Sequence, residues 1–159
     1  MREISCCDIL SLSPNEQDKI IDQIKVLMEL EYPNFTDWFN QKLIPGISTN
    51  ERNIIVILKN DKVIGFVNLT KKNKEKKISN LYIKSIFEYK QYFNVIIDKS
   101  LEWLDTDKPI IILSKNQLGR CWNYLLDRNW QITDRTKNDD YILNRTGFFE
   151  SLVKNKIHK

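Results

Sequence analysis

The segment from Lys76 to Leu104, KKISNLYIKSIFEYKQYFNVIIDKSLEWL, decides how the chain is read. Its first part, Ile78 to Lys84, alternates as a strand does, through Ile78, Leu81 or Asn80, and Tyr82. The alternation slips once, as at a β-bulge. Its second part carries Phe93, Ile96, Ile97, Leu101 and Leu104 at helical spacing. Between the two lies Phe87-Glu88-Tyr89-Lys90-Gln91-Tyr92-Phe93-Asn94. In many α/β enzymes such a strand-to-helix junction is rich in glycine, because its backbone N–H groups approach a phosphate closely. Here it holds aromatic rings and a carboxylate. Ser85-Ile86-Phe87-Glu88 is also a capping-box pattern, which starts the helix at the junction itself.

Towards the C-terminus, Pro109 to Leu113 is a continuous apolar strand of the fully buried kind. Leu118, Cys121, Trp122, Leu125 and Leu126 then form a helical stripe. Trp130 to Thr133 and Asp140 to Asn144 read as a closing strand pair around a polar loop. Towards the N-terminus, Asn53 to Lys59 and Lys62 to Leu69 are strands joined by the turn residues Asn60-Asp61. The run KKNKEKK, Lys71 to Lys77, reads as a solvated hairpin tip; no aromatic residues interleave it as a nucleic-acid surface requires. Earlier still, Arg2 to Ile9 is a short strand. Ser13-Pro14-Asn15-Glu16 starts a helix with its stripe at Ile20, Ile21, Ile24, Leu27 and Met28, ended by Pro33. A second helix, Thr36 to Leu43, brings Phe35, Trp38 and Phe39 and is expected to stop at Pro45-Gly46.

The order β-α-α-β-β-β-α-β-α-β-β predicts a single mixed α/β (α+β) domain over residues 1–147, built on one mostly antiparallel sheet flanked by helices. Residues 148–159 form a tail, expected as a short helix. Composition agrees with one ordinary globular domain: 159 residues, 42% hydrophobic and 29% charged. The net charge of +4 permits an anionic ligand without requiring nucleic acid. No apolar run exceeds strand length, so no membrane span is expected, and Met1 to Cys7 lacks a signal-peptide core; a cytoplasmic location is expected. Cys6, Cys7 and Cys121 make neither a disulfide framework nor a spaced zinc site, and reduced thiols are expected. The only histidine, His158, is next to the last residue. That argues against a Ser-His-Asp triad, a Cys-His pair and a histidine-based metal site, so any catalysis uses carboxylates, Tyr, Ser, Lys, Cys or backbone groups. Ser114-Lys115 is a weak nucleophile pattern.

The element order, with KVIGFVNL, the 76–104 segment and PIIILSKNQLGRCWNYLLDRNWQI, resembles the GNAT superfamily of acetyl-CoA-dependent N-acetyltransferases over Ser5 to Asn144. The resemblance implies a GNAT-like sheet in which a parallel pair of strands, Ile78 to Lys84 and Pro109 to Leu113, splays apart to receive acetyl-CoA. It implies that backbone N–H groups near Leu81, Tyr82 and Ile83 hold the pantetheine arm and polarise the thioester carbonyl. It also implies a diphosphate cradle before the following helix, with a glycine-rich signature. Aligned without gaps, that signature falls on Glu88 to Phe93 and lacks its glycines, so Tyr89, Lys90, Gln91, Tyr92, Phe93 and Asn94 become the cofactor-contacting candidates. Glu88 there competes with an anion for the helix N-terminus.

A family asparagine after the fifth strand corresponds to Asn116, a further cofactor-binding candidate. The family tyrosine that protonates the departing thiolate lies about two helical turns further on. The usual spacing falls on Asn123 and misses Tyr124 by one residue, yet both spacings share nearly one helix face, which makes Tyr124 the general-acid candidate. The alternative, a core-capping tyrosine with its hydroxyl in water, stays open. Glu31, Asp37, Glu75 and Ser79 border the acceptor side in such folds, and none is singled out as a base. Two functions follow: an acyltransferase acting on an amine of a small molecule or protein, with a homodimer expected from the family, or a degenerate GNAT-fold module that binds a protein partner.

Overall fold

A computed structural model describes residues 4–29 and 35–145, except the side chains of Ile86 and Phe87. The sequence expectations for Arg2, Pro33 and the C-terminal tail lie outside the described residues. Seven strands form one sheet: β1 Ile4–Asp8, β2 Arg52–Lys59, β3 Lys62–Lys72, β4 Glu75–Ile83, β5 Ile110–Leu113, β6 Trp130–Arg135 and β7 Tyr141–Arg145, in the order β1-β2-β3-β4-β5-β7-β6. Every neighbouring pair is antiparallel except β4 and β5, which run parallel. The parallel pair exists because α3, Ile86–Leu104, carries the chain back across the sheet between them.

Helices cover both faces. On one, α1 (Pro14–Glu29) is begun by Ser13, whose hydroxyl accepts from the Glu16 amide at 3.3 Å and donates to the Glu16 carboxylate at 2.9 Å. Beside it run three unbroken helical segments, Phe35–Trp38, Phe39–Leu43 and Ile44–Ser48, together α2. Ile20, Ile24, Met28, Phe39 and Leu43 pack there against Ile54, Val56 and Phe66. On the other face α3 and α4 (Lys115–Asp127) bury Phe93, Ile96, Ile97, Leu118, Cys121 and Leu125 against Ile55, Val67, Leu69, Ile78 and Trp130.

Three expectations change. The second helix does not stop at Pro45-Gly46 but continues to Ser48. Its middle segment is a π turn in which the Ile44 N–H donates to the Phe39 carbonyl, one residue beyond α-helical reach. The hydrogen-bond ladder changes register there, so the N–H that Pro45 lacks is not missed. Second, β5 is not buried on both faces: Ile111 and Leu113 face the core, whereas Ile110 is exposed and Ile112 half-buried. Third, the lysine-rich hairpin tip is more than solvated. Asn73 and Lys74 make a two-residue turn with both φ values positive (51° and 69°). Lys71 and Lys76 donate to the Trp103 and Asp105 carbonyls at the C-terminal end of α3, at 3.0 and 2.9 Å, where cations suit the helix dipole.

The slipped alternation read in β4 is a bulge. The β3–β4 register shifts between Phe66 and Asn68, and Asn80 takes φ 54°. Gly65, opposite Ile83, is required by proximity, since a Cβ there would come within 3.2 Å of the Tyr82 carbonyl oxygen. Trp130, fully buried, donates its indole N–H to the Pro109 carbonyl at 3.3 Å and is covered by the Arg145 guanidinium. Trp130→Ala leaves a large cavity between the start of β5 and the end of α4 and is expected to cost about 3–5 kcal/mol of unfolding free energy, measurable by urea denaturation.

Candidate active site between the splayed strands

The parallel ladder between β4 and β5 covers only Lys77↔Ile110, Ile78↔Ile111 and Ser79↔Ile112. Beyond Ser79, β4 continues to Ile83 paired to β3 alone. The Lys84 N–H donates to the Ile64 carbonyl on β3 at 2.8 Å. Successive strand amides point to opposite edges, so the Ile83 N–H points away from β3, into the gap; the Tyr82 amide faces β3. Leu81 and Ile83 bury their side chains on the α3 face, and Tyr82 stacks on Phe66 on the α1 face, ring centroids 5.5 Å apart.

The junction after β4 is a capped helix, not a loop. Ser85 is the N-cap: its hydroxyl accepts from the Glu88 amide at 3.4 Å and donates to the Glu88 carboxylate at 2.9 Å. From Tyr89 onward the amides are engaged within the helix, beginning with Tyr89 N–H to the Ser85 carbonyl at 3.0 Å. The donors free for an anion are therefore the first-turn amides of Ile86 and Phe87, one turn before the positions that the gapless alignment marks. Lys90, Gln91 and Asn94 are exposed on α3, with Asn94 accepting from Arg128 at 3.1 Å. Tyr92 packs half-buried against the core and Phe93 is fully buried in it.

Tyr89 turns inward instead. It is 2% exposed, and its ring stacks on Tyr124 (6.5 Å between centroids), which also stacks on Phe93 (5.2 Å). No hydrogen bond of good geometry reaches the Tyr89 hydroxyl, although the Ile83 backbone and the Arg120 guanidinium lie close enough to act on it. Burial pushes its pKa up, the neighbouring Cys121 adds to that, and Arg120 and the Ile83 amide offset only part. The ring thus bridges the end of β4 and α4.

On α4, Ser114 and Gln117 form a reciprocal capping box, which uses the serine hydroxyl as a cap and leaves Ser114-Lys115 without nucleophile geometry. Asn116 is exposed on the first turn. Gln117, one residue on, is 3% exposed and its amide nitrogen lacks a partner. It precedes Tyr124 by seven residues, the spacing that Asn116 misses. Sequence reading passed over it because glutamine in a capping position reads as structural. The Cys121 thiol beneath it is pushed up to about 12 by burial and donates to the Gln117 carbonyl. It is not a nucleophile.

The opposite face of the sheet opens under α2. A cavity of about 160 Å³ is lined by Trp38, Arg52, Lys77, Ser79, Asn80, Ile112 and Asp140. It therefore borders the point where β4 and β5 separate. A larger one of about 510 Å³ shares Arg52 and Lys77 and adds Thr70, Glu51 and Glu75. Burial, and then the charge of Asp139, raise the Asp140 pKa above its ordinary 3.8. Among the described residues no cation pairs with it. Of the bases considered from sequence, Ser79 lines the smaller cavity, Glu75 is paired with Lys77 at 3.3 Å, Asp37 is exposed, and Glu31 lies outside the described residues. Asp140 went unnoticed because a carboxylate in the polar run before β7 reads as solvated. Among the described residues no cluster of His, Cys, Asp and Glu could hold a metal, and no helix is long and apolar enough to cross a membrane.

No protein-family model and no curated protein sequence matches the chain. Solved structures do resemble it. The PaiA N-acetyltransferase of Thermoplasma acidophilum, in complex with coenzyme A, superposes with TM-score 0.62 at 15% identity, over 91% of this chain and 99% of its own. The PseH N-acetyltransferase of Campylobacter jejuni, in complex with acetyl coenzyme A, gives 0.57 at 16% identity, over 89% and 97%. A Desulfovibrio desulfuricans protein assigned to the GNAT family gives 0.64 at 7% identity, over 91% and 98%. With its bulged fourth strand, its splayed parallel pair and these neighbours, the chain has the fold of the GNAT N-acetyltransferases.

Proposed function

We propose that the chain is an acyl-CoA-dependent N-acyltransferase, moving an acetyl or related acyl group to a primary amine that enters from the α2 face. The observation that supports this most is a coincidence of place. The free edge of β4 and the unpaired Asp140 carboxylate border the same break in the sheet, beyond Ser79 and Ile112. Fold likeness to acetyltransferases that bind coenzyme A and acetyl coenzyme A adds an argument by analogy.

The fit to the cofactor is uneven along its length. Buried polar atoms without partners, the Gln117 amide nitrogen and the Tyr89 hydroxyl, suit the amide-rich pantetheine arm. The Glu88 carboxylate at the start of α3 does not suit a diphosphate. When bound, acetyl-CoA supplies an acyl carbon activated as a thioester. The Ile83 N–H on the free edge, beside the Tyr89 hydroxyl, would hold the carbonyl oxygen, where negative charge grows. Asp140 accepts the proton of the incoming ammonium; its raised pKa makes it a stronger base than a free aspartate. The Tyr124 hydroxyl is the proposed proton donor to the departing thiolate. Lys84, exposed beside the first turn of α3, adds positive charge for the phosphates.

The competing reading, a GNAT-fold module that engages a protein, is favoured by the buried Tyr89 ring and by the Glu88 carboxylate at the start of α3. Ligand-dependent melting separates the two. Acetyl-CoA is expected to stabilise the protein increasingly with concentration, by about 2.7 kcal/mol at 100 times Kd; no shift at millimolar ligand overturns the acyltransferase reading. Glu88→Gln removes the competing carboxylate and is expected to tighten coenzyme A binding about two- to fivefold, measured by calorimetry. Asp140→Asn is expected to lower kcat about 10²–10⁴-fold and to remove the acid limb of the rate profile, whose midpoint lies above 3.8. Because the folded chain holds the Asp140 proton more tightly than the unfolded chain, this group's contribution declines as pH rises from 3.8 through the raised value. The same variant therefore melts no lower than wild type at pH 7.

A further inference from the structure

The cavity under α2 carries more polar groups than an amine alone requires. Residues directly opposite one another across neighbouring strands share a face, so Arg52, Thr70 and Lys77 form one row across β2, β3 and β4. All three line the larger cavity, and Arg52 and Lys77 line the smaller one as well. Two of the lining cations are ion-paired, Lys77 with Glu75 at 3.3 Å and Lys72 with Glu51 at 3.8 Å. Among the described residues Lys42 and Arg52 are not, although the charges of Glu75 and Glu51 favour the cationic form of Arg52. Its guanidinium is half-buried over the Trp38 ring, 5.5 Å from the centroid, and among the described residues no carboxylate lies within 4.0 Å of it. Beside it the Thr70 hydroxyl is buried, 3% exposed, and has no hydrogen-bond partner. In the next row Asn68, fully buried, has neither amide atom paired. Orphaned polar groups of this kind are costly unless a ligand satisfies them.

We infer that the two adjoining cavities, which share Arg52 and Lys77, select an acceptor bearing both a primary amine and a carboxylate, such as a free amino acid, with the carboxylate on Arg52 at their junction, Thr70 on one side of it and the amine at Asp140 on the other. As an acceptor site this rests on the acyltransferase reading. Arg52 and Asp140 line one small cavity without pairing with each other, which is the arrangement a zwitterion completes. A carboxylate suits the row of Arg52, Thr70 and Lys77 better than a phosphate, because Arg52 is its one cation without an ion pair, and a guanidinium with a neighbouring hydroxyl matches a planar monoanion.

The test uses the full chain and a panel of free amino acids, their carboxamides and the decarboxylated amines, followed by calorimetry and by acetyl-CoA turnover. The inference expects at least one amino acid to bind and to react with kcat/KM at least tenfold above its carboxamide. Arg52→Gln is expected to abolish that ratio without changing acetyl-CoA affinity, and Arg52→Lys to restore part of it. Thr70→Val is expected to weaken the amino acid severalfold while melting no lower than wild type, which a purely structural hydroxyl would not do. Equal handling of amino acids and carboxamides, binding of no panel member, or an unchanged ratio in Arg52→Gln overturns the inference. Arg52-dependent binding of amino acids by a chain that ignores acetyl-CoA supports the pocket and overturns the acyltransferase reading instead.

Discussion

Everything the molecule offers a ligand depends on three parallel pairings, Lys77 to Ser79 against Ile110 to Ile112, and on their stopping there. The stop has a local cause. At Asn80 the backbone takes a left-handed conformation, the bulge adds a residue against β3, and the strand is turned away from β5. Asparagine is one of the few side chains that occupy this region at low cost. The sheet stays continuous below the bulge, where Ile78 and Ile111 share the core, and opens above it. A β4 edge with no strand beside it leaves amides without ladder partners, and the Tyr89 hydroxyl stands beside that of Ile83.

The two faces of that opening differ in kind. On the α3 side the space is occupied by rings: Tyr89 bridges the end of β4 and α4, and Tyr124 and Phe93 extend the stack. On the α2 side it is lined by charges and by polar groups with unmet hydrogen-bonding capacity. One side presents stacked rings and the other charged and polar groups.

Much of this was legible in residue order. The bulge in β4 is visible as a slip in alternation at Asn80 and Leu81, and the cap of α3 as Ser85 and Glu88, because both are local signals with one physical cause. The course of α2 was not, since Pro45-Gly46 ordinarily ends a helix and nothing in the sequence announces a π turn. Ile110 and Ile112 read as core because an apolar run cannot say that one of its faces lines a cleft. Arg52, Asp140 and Gln117 were missed for a common reason. Each is a polar residue near the start of an element, where solvent is the default neighbour; strand pairing brings Arg52 and the β7 end beside Asp140 to the cleft, and the α4 cap turns Gln117 inward. The early start of α3 at the junction was legible too, because the Ser85 cap that sets it is a local pattern, whereas an ungapped alignment of the junction takes no account of that cap.

The π turn in α2 has a consequence for how this chain tolerates change. Trp38, which covers Arg52, lies just before it, and Leu43 and Ile47, which anchor the segment to the core, lie at its end and beyond. An α-helix advances about 100° per residue. Shortening the segment by a single residue would rewind it into ordinary helix and swing the indole a quarter-turn and more from its present bearing while the anchors stayed in place. The spare residue works as an angular setting, and chain length at this one spot governs what roofs the cleft.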